Sequence, residues 1–178
     1  MLLKSIDFTN IEYLKSGNAR QQLAYKELNV LKIFQILSRY TPILSGTIPI
    51  GIDIPESDLD IICHCTDHEM FKLEIIKHFS HQKDFELKRI TINGILSTVV
   101  RFKTDHFEFE IFAQNIPSEK QHAFKHMLKE HEILTSMGES FRNQVIQLKL
   151  KGIKTEPAFA QLLNLSGNPY TELLEYDL

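Results

Sequence analysis

The chain reads as α+β: a mixed sheet flanked by helices, with a helical C-terminal subdomain. Three observations predict it. A helix-spaced apolar stretch comes first, strand-like segments then crowd between residues 42 and 112 around one helix, and only helical patterns follow.

Between residues 20 and 40, Leu23, Val30, Leu31, Phe34 and Leu37 recur at helical spacing with no Pro or Gly among them. This predicts one long amphipathic helix, started near Asn18 and stopped before Pro42. Residues 42–45 form a short strand leading into Gly46. Pro49, Gly51 and Pro55 make residues 48–56 a loop, since they forbid a regular helix or a central strand. Residues 58–65 are the second strand. Period-two alternation sets Asp58 and Asp60 on one face and Leu59, Ile61 and Cys63 on the other. Phe71, Ile75 and Phe79 stripe a helix over 68–79, which Asp67 is placed to cap.

Residues 85–92 and 95–102 flank Asn93-Gly94, a two-residue hairpin signal because both turn positions need positive φ. Residues 106–112 form the last strand, with Phe107, Phe109 and Ile111 on one face. Ser118 and Gln121 then predict a capping box for a helix striped by Phe124, Met127, Leu128 and His131. A second helix over 139–151 carries Phe141, Val145 and Leu148 and ends at Gly152. Thr155 precedes a short helix through residue 163 with Pro157 in its first turn, and a final turn or two follows Pro169.

At 178 residues, with 43% apolar and 24% charged side chains, the chain has the make-up of one globular domain. Residues 1–115 read as its α+β core and 116–178 as the helical subdomain. A net charge of −3 supplies no basic field, so a long nucleic acid is not an expected partner. No run approaches the roughly 18 apolar residues of a membrane span, and the first seven residues lack the basic start and apolar core of a signal peptide. The expected location is the cytoplasm, away from membranes. Cys63 and Cys65, two apart on one strand face, then read as reduced core thiols.

The chemistry concentrates in Ser57-Asp58-Leu59-Asp60, which begins ten residues after Thr47 of the pair Gly46-Thr47. Two carboxylates on one strand face repel each other unless a cation sits between them. The Gly-Thr pair offers a backbone open to close approach, a hydroxyl and free N–H groups, which suit a phosphate. Residues 46–60 resemble the Gly-Ser…Asp-x-Asp signature of the DNA polymerase β-like nucleotidyltransferase superfamily, with Gly51, Pro55 and Glu56 in keeping with its small prokaryotic members. Together with Lys154-Thr155-Glu156-Pro157, they make the chain similar to a bacterial family of unknown function placed in that superfamily. Thr47 stands where the superfamily usually has Ser, and the loop itself carries no Arg or Lys.

The resemblance implies a third acid on a neighbouring strand. Glu108 and Glu110 share a face, and Glu110, flanked by Phe109 and Ile111, is the expected one, with Glu108 the alternative. On this reading Asp58, Asp60 and Glu110 hold Mg²⁺ (or Mn²⁺), and Gly46, Thr47 and Ser57 bind the phosphates of a nucleoside triphosphate. Lys149, Lys151 and Lys154 cluster at a helix end, where the dipole favours positive charge. On the same reading they, Lys151 and Lys154 above all, reach the triphosphate, with Thr155 and Glu156 close to the cleft. The implied activity is transfer of a nucleoside monophosphate to a hydroxyl of a small-molecule or protein acceptor. The alternative is a non-catalytic nucleotide-binding or toxin–antitoxin-type module of the same fold. His122 and His126 have metal-compatible spacing but no Glu between them in the protease arrangement, and read as helix-surface residues; His64 reads as a strand-end residue in solvent.

Overall fold

A computed structural model describes residues 6–178; the start of the stretch read above for a signal peptide lies outside them. The helix expected over 20–40 is broken. It runs as α1 (Ala19–Val30), then turns through Lys32 in the left-handed region at φ 52° into α2 (Ile33–Ile36) and a 3₁₀ turn, Ser38–Tyr40. The buried side chains explain the break. Ala24 and Leu28 lie one turn apart, whereas Ile33 follows Leu28 by five positions, about 140° around an unbroken helix. The turn at Lys32 returns Ile33 and Leu37 to the core and leaves Val30 78% exposed. Asn18 forms a full capping box with Gln21.

Five strands follow: β1 (Ile43–Ser45), β2 (Leu59–His64), β3 (Lys83–Ile92), β4 (Ile95–Lys103) and β5 (Glu108–Gln114). The helix α3 (His68–Phe79) lies between β2 and β3, its first turn capped by the Asp67 carboxylate. The sheet order is β1-β2-β5-β4-β3, antiparallel except for the central β2–β5 pair. The β3–β4 hairpin turns at Asn93 and Gly94, both at positive φ.

The C-terminal helices are α4 (His122–Leu150), α5 (Thr155–Leu163) and α6 (Pro169–Glu175). Gly138, at φ 79° and ψ −174°, kinks α4 into two limbs, which are the two helices expected from the periodicity. The capping box expected at Ser118 does not form. Residues Ser118–Lys120 are a 3₁₀ turn, and the Ser118 hydroxyl bonds the Thr41 carbonyl instead. Gln121 enters the core, where its amide donates to the carbonyls of Cys63 and Ile116.

Each sheet face carries its own apolar core. Leu59, Ile61, Cys63, Val100, Phe102, Phe109 and Ile111 pack with α1, α2 and α3. Ile43 and Ile62 on the opposite face pack with α4, α5 and α6. The acids alternate onto this second face, beneath the C-terminal helices. Cys63 and Cys65 are buried and unbridged, and burial pushes the Cys63 thiol up. No described helix is long and apolar enough to cross a membrane.

Candidate functional site

The two central strands set the acids side by side. Asp60 on β2 is in register with Glu110 on β5 and, across β2's other edge, with Ser45 on β1. Asp58 immediately precedes β2. Asp58, Asp60 and Glu110 line one cleft of about 530 Å³, together with Gly46, Thr47, Ser57, Lys149 and Glu156. Glu108 is exposed, outside that lining, and 3.7 Å from Lys103. Lys151 and Lys154 are exposed and outside it as well; Lys151 borders a separate groove with Gln144 and Leu162. His64 faces another hollow, beside Thr41 and Pro117.

Gly46 explains why the approach to Asp60 demands glycine. Its φ is 83°, and a Cβ added there would run into Asp60 Oδ2. Ser57 closes the loop: its Oγ accepts from the Ile54 N–H at 2.9 Å and from the Thr47 hydroxyl at 3.2 Å. The loop owes its shape to donors outside it. Gln21 bonds the carbonyls of Ile48 and Pro49, Arg142 those of Ile50 and Gly51, and Lys149 that of Ile52 at 2.7 Å. Arg20 bonds the carbonyls of Pro55 and Ser57 at 3.0 Å and pairs with Asp53 at 3.2 Å. The basic side chains that the loop lacks in sequence are thus supplied from α1 and α4.

Charge in the cleft is unbalanced. Burial, with Asp58 and Glu110 nearby, pushes the Asp60 carboxyl up to about 8; burial also raises Asp58. Glu110 is better compensated, because Arg101, its partner in register on β4, donates two hydrogen bonds to its Oε2 at 2.8 and 2.5 Å. Burial lowers Lys149 to about 8, against the pull of Glu130, Asp53 and Glu156. The crowded, oxygen-only donors of Asp58, Asp60 and Glu110 fit a hard divalent ion such as Mg²⁺ or Mn²⁺.

The far wall of the cleft joins Glu156, expected near it, to two α4 residues that the sequence reading did not assign to the site. His126 and Glu130 of α4 are 8% and 4% exposed, and Glu156 of α5 adjoins them. The signal was present: Glu130 lies three residues after Met127 and four before Leu134, on the buried stripe. Lys149, which continues the spacing of Phe141 and Val145, is the member of the expected lysine cluster that lines the cleft. His122 is exposed.

Among solved structures, the Cid1 poly(U) polymerase with MgGTP bound is similar at a TM-score of 0.53 and 13% identity, over 78% of this chain and 46% of that one. Cid1 with Mg 3′-dATP bound gives 0.55 and 13% over 92% and 52%, and the GLD-2/RNP-8 complex 0.54 and 14% over 86% and 63%. The chain therefore spans about half the length of the Cid1 proteins, and what it shares with all three is the nucleotidyltransferase fold. No curated protein matches it. Residues 26–176 match the model of a domain of unknown function, DUF4269, and the chain belongs to that family.

Proposed function

We propose that the cleft transfers a nucleoside monophosphate from a nucleoside triphosphate to a hydroxyl of an acceptor. The observation that carries this is Asp60 in register with Glu110, with Asp58 one residue before β2 and all three lining the cleft that Gly46 and Thr47 border. Cid1 has been solved with MgGTP and with Mg 3′-dATP, in keeping with such a site on this fold.

Asp58, Asp60 and Glu110 are the residues that would hold Mg²⁺ or Mn²⁺, which when bound neutralises phosphate charge and lowers the pKa of an attacking hydroxyl. The protein's own groups do the rest. The Gly46-Thr47 turn receives the terminal phosphates, with Ser57 and the carbonyl ties to α1 and α4 keeping that turn in one shape. Glu110 takes the acceptor's proton on Oε1 while Arg101 holds Oε2. Lys149, beside the acids but bonded to Ile52, shapes the loop and does not travel with the phosphates. Lys151 and Lys154, outside the lining, are not assigned to the triphosphate.

The Arg101–Glu110 pair also supports a second reading, a nucleotide-binding or toxin–antitoxin-type module without turnover, since a cation already occupies the third acid. Both readings are tested with radiolabelled triphosphate, Mg²⁺ and small-molecule, protein and RNA acceptors. Label transfer or pyrophosphate release by the wild type, lost by at least about a hundredfold in Asp58→Asn, is the result expected of an enzyme. Equal rates in the two proteins end the proposal. Tight calorimetric binding of Mg-ATP without turnover favours the second reading.

A further inference from the structure

His126, Glu130 and Glu156 form a cluster that the transfer reaction leaves unused. His126 and Glu130 are four residues apart, so one face of α4 presents both, and Glu156 reaches them from the first turn of α5. One donor atom from each lies within 4.8 Å of the other two. The Lys149 cation attracts the two carboxylates, but the surroundings leave the imidazole unsatisfied. His126 Nδ1 is buried without a hydrogen-bond partner among the described residues, in a residue more than nine-tenths buried, and Glu130 beside it is buried as deeply. Orphaned buried polar groups of this kind are rare, and a missing ion is one standard cause.

We propose that this cluster binds a divalent transition-metal ion, at a site distinct from Asp58 and Asp60. An imidazole nitrogen with two carboxylates suits Zn²⁺ or Mn²⁺; Mg²⁺ prefers oxygen donors alone and keeps most of its water. The imidazole is ready to coordinate, because burial lowers the His126 pKa and favours its neutral form. Glu130 would lose a proton on binding: burial and the adjacent Glu156 hold its carboxyl well above the usual carboxylate range. Three protein ligands leave a tetrahedral ion one position short. All three line the cleft that Asp58 and Asp60 also line, so that position faces the cleft and can take water or an oxygen of a bound molecule. The ion would also tie α5 to the first limb of α4.

The test uses the full chain, freed of metal by chelation, with Zn²⁺ alone as the probe and no nucleotide. Binding is counted by competition with a chromophoric chelator in the wild type, the Asp58→Asn/Asp60→Asn double variant, His126→Gln, Glu130→Gln and Glu156→Gln. The expected result is one Zn²⁺ equivalent retained in the double variant and weakened by at least about tenfold in each of the other three. Co²⁺ in place of Zn²⁺ should show visible bands in the double variant that His126→Gln abolishes. Glu156 is the least buried of the three, so Glu156→Gln keeps the test valid if a change within α4 unfolds the chain. No Zn²⁺ binding in the double variant, or binding unaffected by His126→Gln and Glu156→Gln in folded protein, overturns the proposal. So does displacement of all bound Zn²⁺ by millimolar Mg²⁺ or by an organic amine, since the cluster would then be an ordinary cation pocket. None of these outcomes depends on nucleotidyl transfer, which can fail while this site stands.

Discussion

Asp60 carries the sharpest conflict in the molecule, a carboxylate packed against a glycine backbone with a second acid two residues before it. Its pKa rises from 3.8 to about 8 in the folded chain. The unfolded chain gives up this proton near pH 4 and the folded chain only near 8, so the metal-free protein loses stability as pH climbs between those values. Asp60→Asn has no proton to lose there. It should therefore be more stable than wild type at pH 8 in chelator, by on the order of 1–3 kcal/mol, with the advantage shrinking toward pH 4.5. Urea denaturation at the two pH values reads this directly; an Asn variant less stable at pH 8 would mean that Asp60 is already compensated. The acid pair was legible in the sequence because period two needs no tertiary information. The Arg101–Glu110 bond was not, because it depends on which residue of β4 falls opposite β5. Glu130 and His126 escaped because charged residues on a helix read as solvated until their burial is known.

At the scale of elements, α4 is one helix in length and two limbs in direction. Gly138 permits its bend at a φ and ψ that only glycine holds easily, and a Cβ there meets nothing within 4 Å. Gly138→Ala thus adds backbone strain without a collision, and should lower stability by about 1–3 kcal/mol in urea melts. No loss would show that the kink relaxes into a straight helix. The sheet and its hairpin were readable because Asn93-Gly94 fixes the β3–β4 register and alternation fixes the faces. The break at Lys32 was hidden, since lysine is no helix breaker and only the burial of Ile33 and Leu37 requires the turn. Ser118 and Gln121 matched a capping box in spacing, but the carbonyls of Thr41 and Cys63 claimed their side chains.

Over the whole molecule, the C-terminal helices complete the loop as well as cover a sheet face. Lys149 and Arg142, roughly ninety residues downstream, hold the carbonyls of residues 50–52. Lys149→Met removes a buried cation along with its hydrogen bond, and these effects oppose each other. Global stability should move by less than about 1 kcal/mol. Amide exchange across residues 48–57 should instead quicken by at least about tenfold, as the loop opens locally. Unchanged exchange would assign the loop's order to Ser57, Arg20, Gln21 and Arg142 without Lys149. The acids answer to a different constraint. Asp60 and Glu110 lie on β2 and β5, each with a bonded neighbour on both edges. Loss of the border strand β1 would leave the β2–β5 pairing between them in place. Separating Asp60 from Glu110 therefore means breaking the parallel pair at the heart of the sheet, so their spacing should outlast any local opening of the loop before β2.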